Sequence, residues 1–81
     1  MSGGLQMHDV VALLENVRTK HFESGRPLLL RRGQIGSVVM TYNDNACEVE
    51  FADRDGRAYA ILSLRPDTLI VLHDTPDYAA A

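Results

Sequence analysis

Arg31-Arg-Gly-Gln-Ile-Gly-Ser-Val-Val-Met-Thr-Tyr-Asn-Asp-Asn-Ala-Cys-Glu-Val-Glu-Phe51 is the stretch whose reading decides the fold. Ser37 to Tyr42 is rich in β-branched and aromatic side chains, which fit a pleated, half-buried surface. Asn43-Asp-Asn-Ala46 follows with side chains that tolerate left-handed backbone, and reads as a turn. On the return, Cys47, Val49 and Phe51 alternate with Glu48 and Glu50, the period of a strand with one dry and one wet face. Two strands joined by a polar turn are therefore predicted, entered through Gly33 and Gly36. Glycines three apart at a strand entry suit a turn that needs positive φ and a strand start where another backbone crosses closely.

Downstream, Asp53-Arg-Asp-Gly56 is the strongest turn in the chain, since Asp-Gly between alternating runs is a leading hairpin signal. Arg57 to Leu64 is the next predicted strand. Pro66 cannot donate to a ladder and suits the first turn of a short 3-10 segment. Leu69 to His73 resumes as the last strand, and residues 75–81 read as a tail beyond it. Upstream, Leu28 to Leu30 is an apolar lead-in. Arg18 to Pro27 mixes charges with Gly25 and Pro27 and reads as a surface loop. From Asp9 to Val17 the period is ambiguous: the apolar positions fit a helix face with Asp9 as cap or a buried strand. Residues 1–7 are expected to be a disordered lead.

Several short strands with closely spaced turns in so short a chain indicate an all-β fold of about five strands, a small barrel or sandwich, with a short 3-10 turn before the last strand, over residues 8–74. The 81 residues leave room for one domain, and a chain of this size buries only roughly 60% of its unfolded surface, so a partner subunit would add stability. At 46% apolar and 23% charged the composition is that of a folded domain. A net charge of −3 with pI near 5.4 argues against a nucleic-acid binder driven by bulk charge. The single cysteine, Cys47, excludes an internal disulfide and a multi-thiolate metal site. With no secretory pattern and no apolar run long enough to span a bilayer, a soluble cytoplasmic protein without a membrane partner is expected.

Five blocks in order, Asp9-Val-Val-Ala-Leu13, Arg31-Arg-Gly-Gln-Ile-Gly-Ser-Val-Val39, Glu48-Val-Glu-Phe51, Asp53-Arg-Asp-Gly-Arg-Ala-Tyr-Ala60 and Leu69-Ile-Val-Leu-His73, resemble a family of small bacterial proteins known only as domain of unknown function 4926. The likeness covers residues 8–74. It implies an SH3-like barrel and a strand rather than a helix at Asp9 to Leu14, and it carries no established activity, cofactor or catalytic residue. The Gly33-x-x-Gly36-x-Val38 element is also similar to the KOW hairpin of ribosome and transcription factors, a likeness of barrel type more than of function.

No constellation of side chains points to catalysis, a metal or a cofactor. His8 and Asp9, adjacent on an expected strand, would point to opposite faces. His21, in the expected loop beside Phe22, reads as a surface residue, and His73 as a strand-end residue at the rim. Cys47, alternating with Val49 and Phe51, reads as core. Glu48 and Glu50 read as a solvated face opposite Arg54 or Arg57. Arg26, Arg31 and Arg32 are the only basic cluster visible in the sequence, and their structural role is to keep a strand edge from pairing, with an acidic or phosphate-bearing partner as the functional alternative. Phe22, Arg26, Leu28, Leu29, Leu30, Arg31 and Arg32 are the candidate partner contacts. The expectation is a non-catalytic protein-interaction or self-association module, a homo-oligomer or the binder of another protein, with no small-molecule substrate. A nucleic-acid contact of the KOW kind, or an accessory or regulatory subunit of an enzyme or toxin system, is the alternative.

Overall fold

A computed structural model describes residues 5–43 and 45–80. These residues form seven strands, β1 (Val10–Leu13), β2 (Val17–Lys20), β3 (Pro27–Leu30), β4 (Ile35–Tyr42), β5 (Ala46–Ala52), β6 (Ala58–Leu64) and β7 (Leu69–Val71), with one 3-10 turn at Pro66–Thr68. β4 and β5 are the two strands read from the central stretch. Their register sets Ser37 opposite Glu50, Val38 opposite Val49 and Thr41 opposite Cys47, with a bulge between Val38 and Met40. Asp44, in the turn between them, lies outside the described residues. Gly56 takes φ of +82°, and the Asp53 carboxylate accepts from the N–H groups of Asp55 and Arg57 at 2.9 and 3.1 Å. These bonds make the β5–β6 turn.

The main sheet runs β6-β5-β4-β1-β7, and β2 and β3 pair separately. An insertion between the first two sheet strands, a three-strand meander, a 3-10 turn and a last strand returning beside the first make up an all-β fold of one five-stranded and one two-stranded sheet, with the 3-10 turn before the last strand as expected. Pro66 stands in the first turn of the 3-10 segment, as its missing N–H requires. Val11, Leu13, Val38, Cys47, Val49, Phe51, Ala60 and Leu69 line the inner face, and Leu30 reaches in from β3. Phe51, Val11, Val38 and Val49 are wholly buried, each contributing about 1.5–3 kcal/mol by burial.

The two glycines divide their work as their spacing suggests. Gly33 has φ of +92°. Gly36, paired with Val11, is where side chains of β5 cross: a Cβ there would lie 2.7 Å from Val49 Cγ1, 2.9 Å from Phe51 Cε2 and 3.0 Å from the Glu50 carbonyl oxygen.

Several expectations need correction. Arg18 to Pro27 is not a loop: Val17, Arg18, Thr19 and Lys20 pair with Leu30, Leu29, Leu28 and Pro27, so the segment is one limb of a hairpin with a tip at 21–26. The alternation of Val17 and Thr19 with Arg18 and Lys20, half-buried against exposed, is a strand pattern. Asp9 to Val17 resolves into a strand that stops at Leu13 and a second that starts at Val17. His8, with φ of +76°, sits in a turn ahead of β1, so the opposite-face argument for His8 and Asp9 does not apply. Of the expected lead, residues 1–4 lie outside the described residues, whereas Leu5 packs on the core and the Gln6 N–H donates to Asp9 at 2.9 Å. Glu50 and Glu48 face Ile61 and Ser63 across the ladder rather than Arg54 or Arg57, because the β5–β6 turn sets both arginines beyond the paired register.

Candidate functional site

The hairpin of β2 and β3 closes the open side of the fold as an arm. Its alternation is strict. Val17, Thr19, Leu28 and Leu30 turn inward, and Val17, Leu28 and Leu30 pack on the core. Arg18, Lys20, Pro27 and Leu29 turn outward and are exposed. The apolar triplet Leu28 to Leu30 is therefore not a patch: Leu30 is 2% exposed while Leu29 between its neighbours is 45% exposed. In a strand, consecutive side chains go to opposite faces, so only Leu29 of the three is free to meet a partner.

The tip is held by its own side chains. The His21 ring nitrogen Nδ1 accepts from the N–H groups of Glu23 and Ser24 at 3.1 and 3.3 Å, and Ser24 Oγ accepts from the Arg26 N–H at 3.2 Å. Gly25, with φ of +73°, makes the reversal. His21 thus has a turn-building role, and Phe22, half exposed, stacks on it at 5.5 Å. The arm is fastened at both ends to one residue of β6: the Phe22 N–H donates to the Tyr59 carbonyl at 3.1 Å, and Gln34 Nε2 bonds the Tyr59 hydroxyl. At its base the Arg32 N–H donates to Asn16 Oδ1 at 2.8 Å.

These anchors separate the expected basic cluster. Arg26 is at the tip end of β3 and Arg31 and Arg32 are at its base, about 17 Å apart along the strand. What the fold brings together instead is Arg18, directly opposite Leu29, with Lys20 two residues along and Arg31 two residues beyond Leu29 on the same face. Arg18 and Lys20 were hidden from a sequence reading that took their segment for a loop; the period-two signal at 17–20 is what would have found them. The arm carries five of the chain's eight cations, Arg18, Lys20, Arg26, Arg31 and Arg32, and one acid, Glu23; the other ten acids share the rest of the chain with Arg54, Arg57 and Arg65. Among the described residues the one ion pair is Arg65 with Asp67, at 2.7 Å. The arm's cations are exposed and unpaired among those residues, so a basic limb lies across an acidic body.

The remaining titratable candidates are structural. Cys47 is buried, and its Sγ donates to the Leu64 carbonyl at 3.6 Å; burial pushes its thiol pKa up, away from nucleophilic use. Exposed Tyr42 stands beside Glu48, whose carboxylate raises the phenol's pKa. His73 and Asp74 join Val10 and Leu72 around a shallow surface cleft. Among the described residues no three of His, Cys, Asp and Glu come together in a metal-binding group, and no helix is long and apolar enough to cross a membrane.

Residues 7–71 match the model of a family described as Domain of unknown function (DUF4926), a span that takes in all seven strands. No curated protein and no solved structure matches the chain.

Proposed function

We propose, for a chain that belongs to the family described as Domain of unknown function (DUF4926), that this domain is a non-catalytic protein-interaction module whose working surface is the outer face of the β2–β3 arm. The observation that carries the reading is the separation of charge: five cations and one acid on the arm, ten acids and three cations elsewhere. Leu29 and Phe22, both about half exposed, lie among those cations and supply the apolar anchor that a charged surface needs for affinity as well as for encounter rate. The partner that fits is an acidic protein segment bearing apolar side chains. A long polyanion such as RNA would also meet the ten acids of the body, which favours a discrete acidic surface over nucleic acid.

The arm is suited to this because it is rigid. Leu30 is in the core, Val17 and Leu28 pack against it, and the tip and base are tied to Tyr59, so its outward groups are held in place before a partner arrives, and little ordering entropy is lost on binding. The test is amide chemical-shift mapping with an Asp/Glu-rich peptide containing aliphatic residues, run beside a mixed-sequence RNA. Shifts at Arg18, Lys20, Leu29 and Arg31, weakened at least tenfold by the Arg18→Glu, Lys20→Glu double variant and by added salt, are expected for the peptide. Tighter binding of the RNA would replace this reading with a nucleic-acid one, and no shift in the arm with either ligand would sink it.

A further inference from the structure

The outer face of the main sheet is divided. On β5 it carries Glu48 and Glu50, with Met40 of β4 beside Glu48, whereas on the first half of β4, on β1 and on β7 its outward positions are Ile35, Ser37, Val10, Ala12 and Ile70, continued by Leu72, with no charged residue among them. The register makes rows of this face: Ile35, Ala12 and Ile70 lie side by side across three strands, and Ser37, Val10 and Leu72 form the next row, Leu72 donating its N–H to the Val10 carbonyl at 2.8 Å. Ile35 is 57% exposed, Ile70 49%, Val10 43% and Leu72 39%, while Ala12 between the two isoleucines is 7% exposed. The face therefore has two apolar ridges with a recess at Ala12. Leu14, also exposed, stands at its edge.

We infer that this face is the interface of a homodimer, packed sheet against sheet on the same face of a second copy. Three observations select a second copy as the occupant. The first is area: at these exposures the apolar side chains present on the order of 400 Å², and at the roughly 56–65% apolar fraction usual for interfaces this implies about 600–700 Å² buried per copy, near the roughly 800 Å² of a standard interface. The second is charge. Each chain carries −3 and is strongly polarised between arm and body, and the row Ile35, Ala12 and Ile70 at the centre of this face holds no charge, Glu50 beside Ser37 and Asp74 beside Val10 and Leu72 standing at its margins. The third is shape, since the Ala12 recess lies between two isoleucine ridges on one face, so that a two-fold axis can set the ridge of one copy into the recess of the other, the self-complementarity an isologous contact requires. Packed sheets lie about 10 Å apart, which suits interdigitated Ile and Val side chains.

The inference is independent of the proposed function, because the arm lies on the other side of the sheet and its cations take no part. Sedimentation velocity of the full chain from low micromolar to several hundred micromolar tests it, with Ile35→Glu, Ile70→Lys and the Arg18→Glu, Lys20→Glu double variant measured alongside, and far-ultraviolet circular dichroism confirming the fold of each. Ile35 is the informative position: it sits two strands in from the β7 edge, so sheet-on-sheet packing buries it and edge-to-edge pairing of β7 does not. The expected result is a wild-type dimer, strengthened by salt, whose dissociation constant rises at least tenfold in both face variants and is unchanged in the arm variant. A wild type that remains monomeric throughout, a dimer indifferent to Ile35→Glu, or a dimer lost on reversing the arm charges overturns it.

Discussion

At Gly36 a missing methyl group is a structural part. The Cβ that any other residue would bring meets Val49 Cγ1, Phe51 Cε2 and a backbone carbonyl oxygen at 3.0 Å or less, and the two side chains are fully buried with no room to retreat. Gly36→Ala should therefore destabilise the domain by about 1–3 kcal/mol, the usual cost of overpacking, read as a lower urea midpoint at unchanged m-value. Cys47 gives a prediction in pH. Its thiol pKa is raised by burial, so as pH climbs through the ordinary thiol range, near 8.5, the unfolded chain loses its proton first and the folded chain keeps it. The stability associated with the neutral thiol is present below that range and is lost above it. Urea titrations between about pH 8 and 9.5 should show stability falling, and Cys47→Ala should remove that part of the slope.

The arm shows at the scale of an element how much turns on parity. Leu30→Ala should cost about 2–5 kcal/mol as a core truncation, whereas Leu29→Ala, one residue away and outward, should stay within about 0.5 kcal/mol; thermal or urea unfolding of the pair checks this, and equal effects would refute the strand. The meander β4-β5-β6, the roles of Gly33 and Gly36, the Asp53 turn and the Pro66 turn were legible in the sequence because each rests on local chemistry of one or two residues. The arm was not. Its first strand is four residues long and charged at alternate positions, and Val17 is equally well read as the end of the preceding apolar run. The apolar outer face was illegible for a different reason: Val10-Val-Ala-Leu-Leu14 is apolar at both parities, so nothing local distinguishes the inward Val11 and Leu13 from the outward Val10. Of the residues expected to meet a partner, Phe22, Arg26, Leu29, Arg31 and Arg32 are exposed, while Leu28 and Leu30 turn to the core because the strand, invisible in sequence, alternates them.

The molecule as a whole has two surfaces of unlike character, and they should answer to salt with opposite sign. Added salt screens the attraction between the basic arm and an acidic partner, and it equally screens the repulsion between two copies that each carry −3. One titration of ionic strength, followed by peptide binding and by sedimentation, is therefore expected to weaken the first association and strengthen the second. Finally, the pairing of β1 with β7 has a meaning for chain architecture apart from stability. The first strand begins at Val10 and the last gives out at Leu72, and those two residues share a hydrogen bond of 2.8 Å. Entry and exit on adjacent strands, about 5 Å apart, is the arrangement that lets a domain be spliced into a surface loop of another protein without prying either structure open. As a building block the domain is a cassette with both its connectors on one side.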